Sequence, residues 1–140
     1  MAATMQCYIV SAEEEIYSGR VAMLSATGTI GELGILPGHA PLLTGIRPGP
    51  VKLRDENGEE DVFFASGGYL EIQPGIVTVL ADTALRADDI DEAAAIEARN
   101  EAERALSEAA AEMDYGRVEA QLAAASAQQR TLDELRKIRR

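Results

Sequence analysis

Glycine and proline are confined almost wholly to one part of this 140-residue chain: every proline lies at or before Pro74, and after Gly75 the sole glycine is Gly116. Both residues interrupt regular helices, proline because it lacks an N–H and glycine because of its conformational freedom. The chain therefore divides into a punctuated part, residues 1–86, and a continuous part, residues 87–140, that can run as long helices.

In the first part, short runs rich in Val, Ile, Leu, Phe and Thr alternate with turn residues at the spacing of an all-β sandwich or barrel. Val51–Asp55 and Asp61–Ala65 flank Asn57-Gly58, a pair that tolerates left-handed backbone and suits a tight hairpin. Tyr69–Ile72 and Ile76–Leu80 bracket Pro74-Gly75 in the same way. Two adjacent hairpins are predicted.

From Ala87 onward the composition turns to Ala, Glu, Arg, Gln and Leu, strong helix formers, with one break expected near Met113–Gly116. Two helices of about 22 residues, each roughly 33 Å long at 1.5 Å per residue, would form a hairpin. Asp88, Asp89, Asp91 and Glu92 suit the positive end of the first helix, with Asp89 and Glu92 as a capping pair and Asp114 capping the second helix. The expected apolar stripe of the second helix is Val118, Leu122, Ala125, Leu132, Leu135 and Ile138. That of the first is mostly alanine, at 94, 98, 102, 105 and 109, relieved by Ile90 and Leu106. Alanine buries little, at about 0.8 kcal/mol per methyl-sized group. Such a hairpin is shallowly closed and poised to open; an ordinary alanine-rich pair that never opens fits the same pattern.

The formal charge of −11 opposes attraction to phosphate backbones or an anionic bilayer, so nucleic acid is not an expected partner. Cys7 and His39 are the only residues of their types, which excludes an internal disulfide and the usual Cys/His zinc site and suits a reducing cytoplasm. No apolar run approaches the roughly 18 residues of a membrane span, so no direct bilayer insertion is expected. Met1–Val10 lacks the pattern of a targeting segment, and the chain is expected to begin its mature form there.

The glycines at 28, 31, 34 and 38 lack the Lys-Ser/Thr of a phosphate loop and the strand-to-helix setting of a dinucleotide turn, which leaves turns and bulges as their reading. His39 has no nucleophile in a recognisable elbow nearby, and the acids of 13–15 and 55–61 read as solvated surface. No catalytic set, metal or cofactor is expected. Arg130, Arg136, Lys137, Arg139 and Arg140 crowd the end of an otherwise acidic chain. The helix dipole favours cations only in its last turn, so a cluster this long also suits docking on an acidic surface.

The run Gly31-Glu32-Leu33-Gly34-Ile35-Leu36-Pro37-Gly38-His39-Ala40-Pro41-Leu42-Leu43 closely resembles the signature of the epsilon-subunit family of F-type ATP synthases. Ile9–Ala12, Ile46–Gly49, Ser66–Pro74 and Val77–Ala84 match it further. The resemblance implies an N-terminal antiparallel β-sandwich, 1–86, followed by a C-terminal two-helix antiparallel hairpin, 87–140. It implies a non-catalytic rotor subunit, peripheral on the cytoplasmic face of a bacterial inner membrane, without cofactors. Its sandwich would grip the gamma subunit through Ser11 and Ser66 and meet the c-ring through Gly31, Glu32 and His39. Its hairpin would rise into the alpha and beta subunits and inhibit ATP hydrolysis.

Some relatives bind ATP through an Ile/Leu-Asp-x-x-Arg-Ala motif. Here the matching run is Ile90-Asp91-Glu92-Ala93-Ala94-Ala95, with Ala94 where the motif has its phosphate-holding arginine. Ile90, Asp91, Arg99 and Arg117 are what remains for a weak ATP site, with Arg104 as a further cation. The rival to a mechanical brake is thus an ATP sensor. An enzymatic role would have to rest on His39 or Glu32.

Overall fold

A computed structural model describes residues 3–108 and 112–139. Nine strands come first: β1 (Met5–Ser11), β2 (Glu15–Gly28), β3 (Gly31–Ile35), β4 (Leu42–Ile46), β5 (Gly49–Asp55), β6 (Glu60–Ala65), β7 (Gly68–Gln73), β8 (Ile76–Ala81) and β9 (Ala84–Arg86). A 3-10 turn, Ala87–Asp89, leads into α1 (Glu92–Glu108) and α2 (Glu112–Ile138).

The long strand β2 joins the two layers. Its first half pairs with β1, its second half with β5 and β3, and its end, Gly28, meets Ile46 of β4. One layer runs β1-β8-β7-β4 and the other continues β2-β5-β6-β9. Both expected hairpins are present, β5–β6 around Gly58 (φ 83°) and β7–β8 around Gly75 (φ 76°). The Asp55 carboxylate accepts from the Asn57 and Glu59 amides and pins the first turn. One pairing departs from the antiparallel expectation: β1 and β8 run parallel, Gln6 opposite Ile76 through Ser11 opposite Ala81. Parallel neighbours need a long connection, and these two are the strands farthest apart in their layer's sequence.

Period-two burial builds the core. Met5, Cys7 and Ile9 face inward from β1, Leu70 and Ile72 from β7, and Val77 and Val79 from β8. Phe63 packs edge-on to Tyr17 at 5.4 Å between ring centres, with the Arg86 guanidinium 5.0 Å above its ring and 3.1 Å from Asp61. Burial pushes the Cys7 thiol up to about 12, so it behaves as a small apolar side chain. At Gly68 a Cβ would lie 2.0 Å from the Leu80 carbonyl, so the approach of β7 to β8 requires glycine there.

β6 breaks the alternation. Val62, Phe63, Phe64 and Ala65 are all buried, so both faces of this strand are covered. The outer cover is the helical hairpin: α2 packs across β5 and β6, and α1 packs on α2. Phe64, Ile90, Ala95 and Ala127, with Leu132 against them, form a second apolar cluster separate from the sandwich core.

The helices differ from their expected outlines. α1 has 17 residues and α2 has 27, about 26 and 40 Å at 1.5 Å per residue. Residues 113–116 are helical, so the expected break is not there, and Asp114 lies inside the first turns instead of capping them. Asp89 belongs to the 3-10 turn; the N-cap of α1 is Asp91, whose carboxylate accepts from the Ala94 amide at 3.1 Å. The face of α1 is also rotated from the expected stripe. Ala95 and Ala102 are buried, Ala105 and Leu106 half-buried, and Ala94 and Ala98 exposed. Ala109 lies outside the described residues. α2 buries Val118 and Ala125 as expected, but also Ala127 and Thr131, because it faces two neighbours rather than one. Thr131 satisfies its buried hydroxyl on the Ala127 carbonyl at 2.8 Å.

Candidate functional site

The first surface lies around the β2–β3 hairpin. Ile30 at its tip is 94% exposed. Gly31 follows with φ 137°, a conformation that L side chains rarely adopt, and Glu32 is exposed one residue later. β3 runs away from the tip along β2, whereas β4 returns toward it with Ile46 opposite Gly28. The Leu36–Pro41 connection must therefore travel back along the hairpin, carrying His39 with it. His39 is exposed, with Nδ1 2.7 Å from the Ala40 carbonyl, and Leu36 and Leu43 are exposed beside this loop in sequence. Among the described residues no general-base arrangement surrounds His39; the loop is a polar and apolar rim.

The second surface is the outer face of β4, β7 and β8. Register aligns Leu43 with Glu71 and Thr78, and Gly45 with Tyr69 and Leu80. Tyr69, Leu43, Leu80 and Ile76 are 40–64% exposed on this face. Large apolar side chains gathered on one sheet face mark a surface built to be covered. Ser11 and Ser66 stand near its edge, where Ser11 is opposite Ala81. Ser66 accepts from the Thr83 amide at 2.8 Å, and Ser11 accepts from the Glu13 and Glu14 amides, so both hydroxyls hold turns.

The third is the seam between hairpin and sandwich, where the basic cluster is already engaged. Arg130 donates to the Pro48 carbonyl at 3.0 Å. Arg136 pairs with Glu92 and Asp133, Lys137 with Glu134, and Arg139 with Asp88 at 2.6 Å. Arg140 lies outside the described residues. Lys52 of β5 reaches Glu134 of α2 at 3.2 Å, a pair between sandwich and hairpin for which residues 82 apart in the chain carry no local signal.

Burial raises the Glu134 carboxyl, but Lys52 and Lys137 together outweigh it and hold the group below its ordinary value. A carboxylate with a depressed folded pKa contributes stability above its unfolded pKa of about 4.3 and loses it as pH falls through the folded value. Hydrogen exchange across α2 should accordingly quicken, beyond its intrinsic pH dependence, as pH drops below about 4. Glu134→Gln should remove part of that acid step; an identical step in the variant would exclude the Lys52 pair as its source.

The residues expected to hold ATP do not converge. Arg99 reaches Gln129 at 2.7 Å and Arg136 pairs with Glu92, which fixes the antiparallel register of the helices. Arg117 is 12 residues from Gln129 on α2, roughly 18 Å along the axis, and lines the interhelical groove with Ala102 and Val118. Asp91 spends a carboxylate oxygen on its cap, Ile90 is buried in the second cluster, and Arg99 is also bound to Glu103. Arg104 donates to the Asn100 carbonyl of its own helix. Among the described residues no single phosphate cradle results.

Comparison with known proteins decides the family. Residues 4–87 match the description "ATP synthase, Delta/Epsilon chain, beta-sandwich domain" and residues 88–133 match its "long alpha-helix domain". The chain belongs to the ATP synthase delta/epsilon family. It is 56% identical over 134 residues to the ATP synthase epsilon chain of Chromohalobacter salexigens, covering 96% of this chain and 95% of the relative. Its function is accordingly that of an epsilon-type, non-catalytic subunit of an ATP synthase. Among solved structures, a chain of the Euglena gracilis mitochondrial ATP synthase (OSCP/F1/c-ring) matches with a TM-score of 0.82 at 25% identity, covering 92% of this chain and 81% of that one. A chain from the central stalk and c-ring of the Tetrahymena thermophila mitochondrial enzyme shares the fold, with a TM-score of 0.60 at 14% identity over 94% and 98% of the two chains. Among the described residues no helix of this delta/epsilon chain is long and apolar enough to cross a membrane.

Proposed function

We propose that the chain couples the catalytic head of an ATP synthase to its proton-translocating ring and brakes ATP hydrolysis with its helices. The Tyr69–Leu80 face of the sandwich rests on the gamma subunit, with Ser11 and Ser66 at the edge of that contact. Gly31, Glu32 and His39 meet the polar loops of the c-ring. The complex lies at a bacterial inner membrane with this subunit on the cytoplasmic side. The hairpin exchanges between the docked position and one extended toward the alpha and beta subunits, where Arg130, Arg136, Lys137, Arg139 and Arg140 find acidic partners.

The observation that carries the reading is the construction of the seam. α2 is held on the sandwich by one small apolar cluster, by the partly exposed Lys52–Glu134 pair and by the Arg130 bond to the Pro48 carbonyl, while the exposed Arg136–Glu92 and Arg139–Asp88 pairs tie it to the start of the hairpin. Exposed pairs contribute about 0–1 kcal/mol each, so docking is reversible, and cations freed when α2 parts from the start of the hairpin can pair elsewhere at little net cost. Tyr69→Glu with Leu80→Glu tests the anchoring half. A desolvated, unpaired carboxylate is strongly unfavourable at an interface, so co-purification with gamma should be lost while the isolated chain keeps its melting temperature. Undiminished co-purification would remove this face as the contact.

A further inference from the structure

The outer face of β2 and β5 continues past the C-terminal turns of α2, and there the seam opens into a cavity of about 340 Å³. Register builds it: β5 sets Lys52 opposite Ser25 and Arg54 opposite Met23, while Leu53 between them turns into the core. Alternate residues of one strand thus present two cations on the same face. Lys137 and Ile138 of α2 close the other side, and Glu60 and Glu134 complete the rim.

The charges there do not cancel. Three cations face two carboxylates, leaving +1 within a chain whose total is −11. Glu134 takes both lysines, Lys52 at 3.2 Å and Lys137 at 3.5 Å. Arg54 points its Nη2 at the Met23 sulfur, 2.9 Å away, and shares no ion pair with a described carboxylate. A thioether is a weak acceptor, so the guanidinium keeps its capacity for a strong one. Its planar fork matches a carboxylate bidentately, and Met23 and Ile138 offer an apolar wall beside it.

We propose that this cavity binds a small monocarboxylate with an apolar body, the carboxylate on Arg54 and the body between Met23 and Ile138. A monoanion matches the residual charge, and the volume is that of a small-ligand pocket. Because the walls come from β5 and from the last turn of α2, the complete site exists only while the hairpin is docked. The ligand therefore favours the docked state by its differential affinity for it. Binding and clamping stand on the geometry of this chain; relief of inhibition rests in addition on the brake reading.

Octanoate, titrated below its aggregation concentration into the full chain at low ionic strength, is the probe. Calorimetry and NMR should show saturable 1:1 binding with shifts centred on Met23, Arg54 and Ile138. Acetate and 1-octanol should bind at least about tenfold more weakly, and Arg54→Gln should weaken octanoate by about tenfold or more, as expected for losing a charged hydrogen-bonded pair. Should Arg54→Gln melt early, the exposed Lys137→Gln provides the same comparison with a smaller loss. Equal affinity of both variants and the parent, or shifts centred on the Tyr69–Leu80 face, overturns the site. Hydrogen exchange across α2 should slow at saturation; binding with unchanged exchange overturns the clamp. These measurements need no assembled enzyme, so their failure is separable from failure of the brake.

Discussion

Removal of residues 88–140 is expected to raise ATP hydrolysis by the assembled head at least about fivefold, the lower end of ordinary coupling free energies, while assembly stays intact. The separation of cores is what makes the two outcomes independent. Among the described residues the main core is built from side chains between Met5 and Ala84, with none from the helices. The truncated chain therefore keeps its fold and its Tyr69–Leu80 face. What it loses is cover over β6, chiefly over Phe64, which is 2% exposed in the intact chain. Truncation thus removes the moving part and spares the anchor. Steady-state hydrolysis by the reconstituted complex, measured beside its subunit content, decides the matter: a normal complement with unchanged hydrolysis would leave the helices without a braking role.

The two-part fold was legible in the sequence because it rests on chemistry visible residue by residue. Proline and glycine stop helices wherever they stand, so their confinement set a punctuated β part apart from a helical one. Asn57-Gly58 and Pro74-Gly75 fixed two hairpins because their turns require positive φ. The helix interior was less legible. Alanine packs or stays exposed with little difference in free energy, so Ala94 and Ala98 read as core as readily as Ala95 and Ala102. Which face turns inward is set by what α2 rests on, a tertiary fact. One signal was available and carried the answer: Val62-Phe63-Phe64-Ala65 is apolar without alternation, the mark of a strand covered on both faces. It announces that something lies over β6, and the hairpin is that cover. The basic cluster was legible as a docking end, yet its partners in this state, Asp88, Glu92 and Glu134, belong to the chain itself.

Phe63 and Phe64 sit side by side on β6, on opposite faces, and should respond to alanine in different ways. Phe63 is fully buried in the sandwich against Tyr17 and beneath Arg86. Phe63→Ala should cost about 3–5 kcal/mol of global stability and lower the melting temperature of the sandwich by roughly 12 °C or more. Phe64 belongs to the small cluster with Ile90, Ala95 and Ala127, which the undocked hairpin would not bury. Its loss should therefore fall on the docking equilibrium. With a comparable cost of about 3 kcal/mol, and a factor of ten per 1.4 kcal/mol, docking weakens about a hundredfold. Phe64→Ala should leave the β-sheet amides protected and speed exchange throughout α1 and α2. In the assembled enzyme it should deepen inhibition of hydrolysis, the opposite sign to truncation. Uniform loss of protection in both variants would mean that sandwich and hairpin unfold as one body, and a hairpin that cannot leave its sandwich cannot serve as a brake.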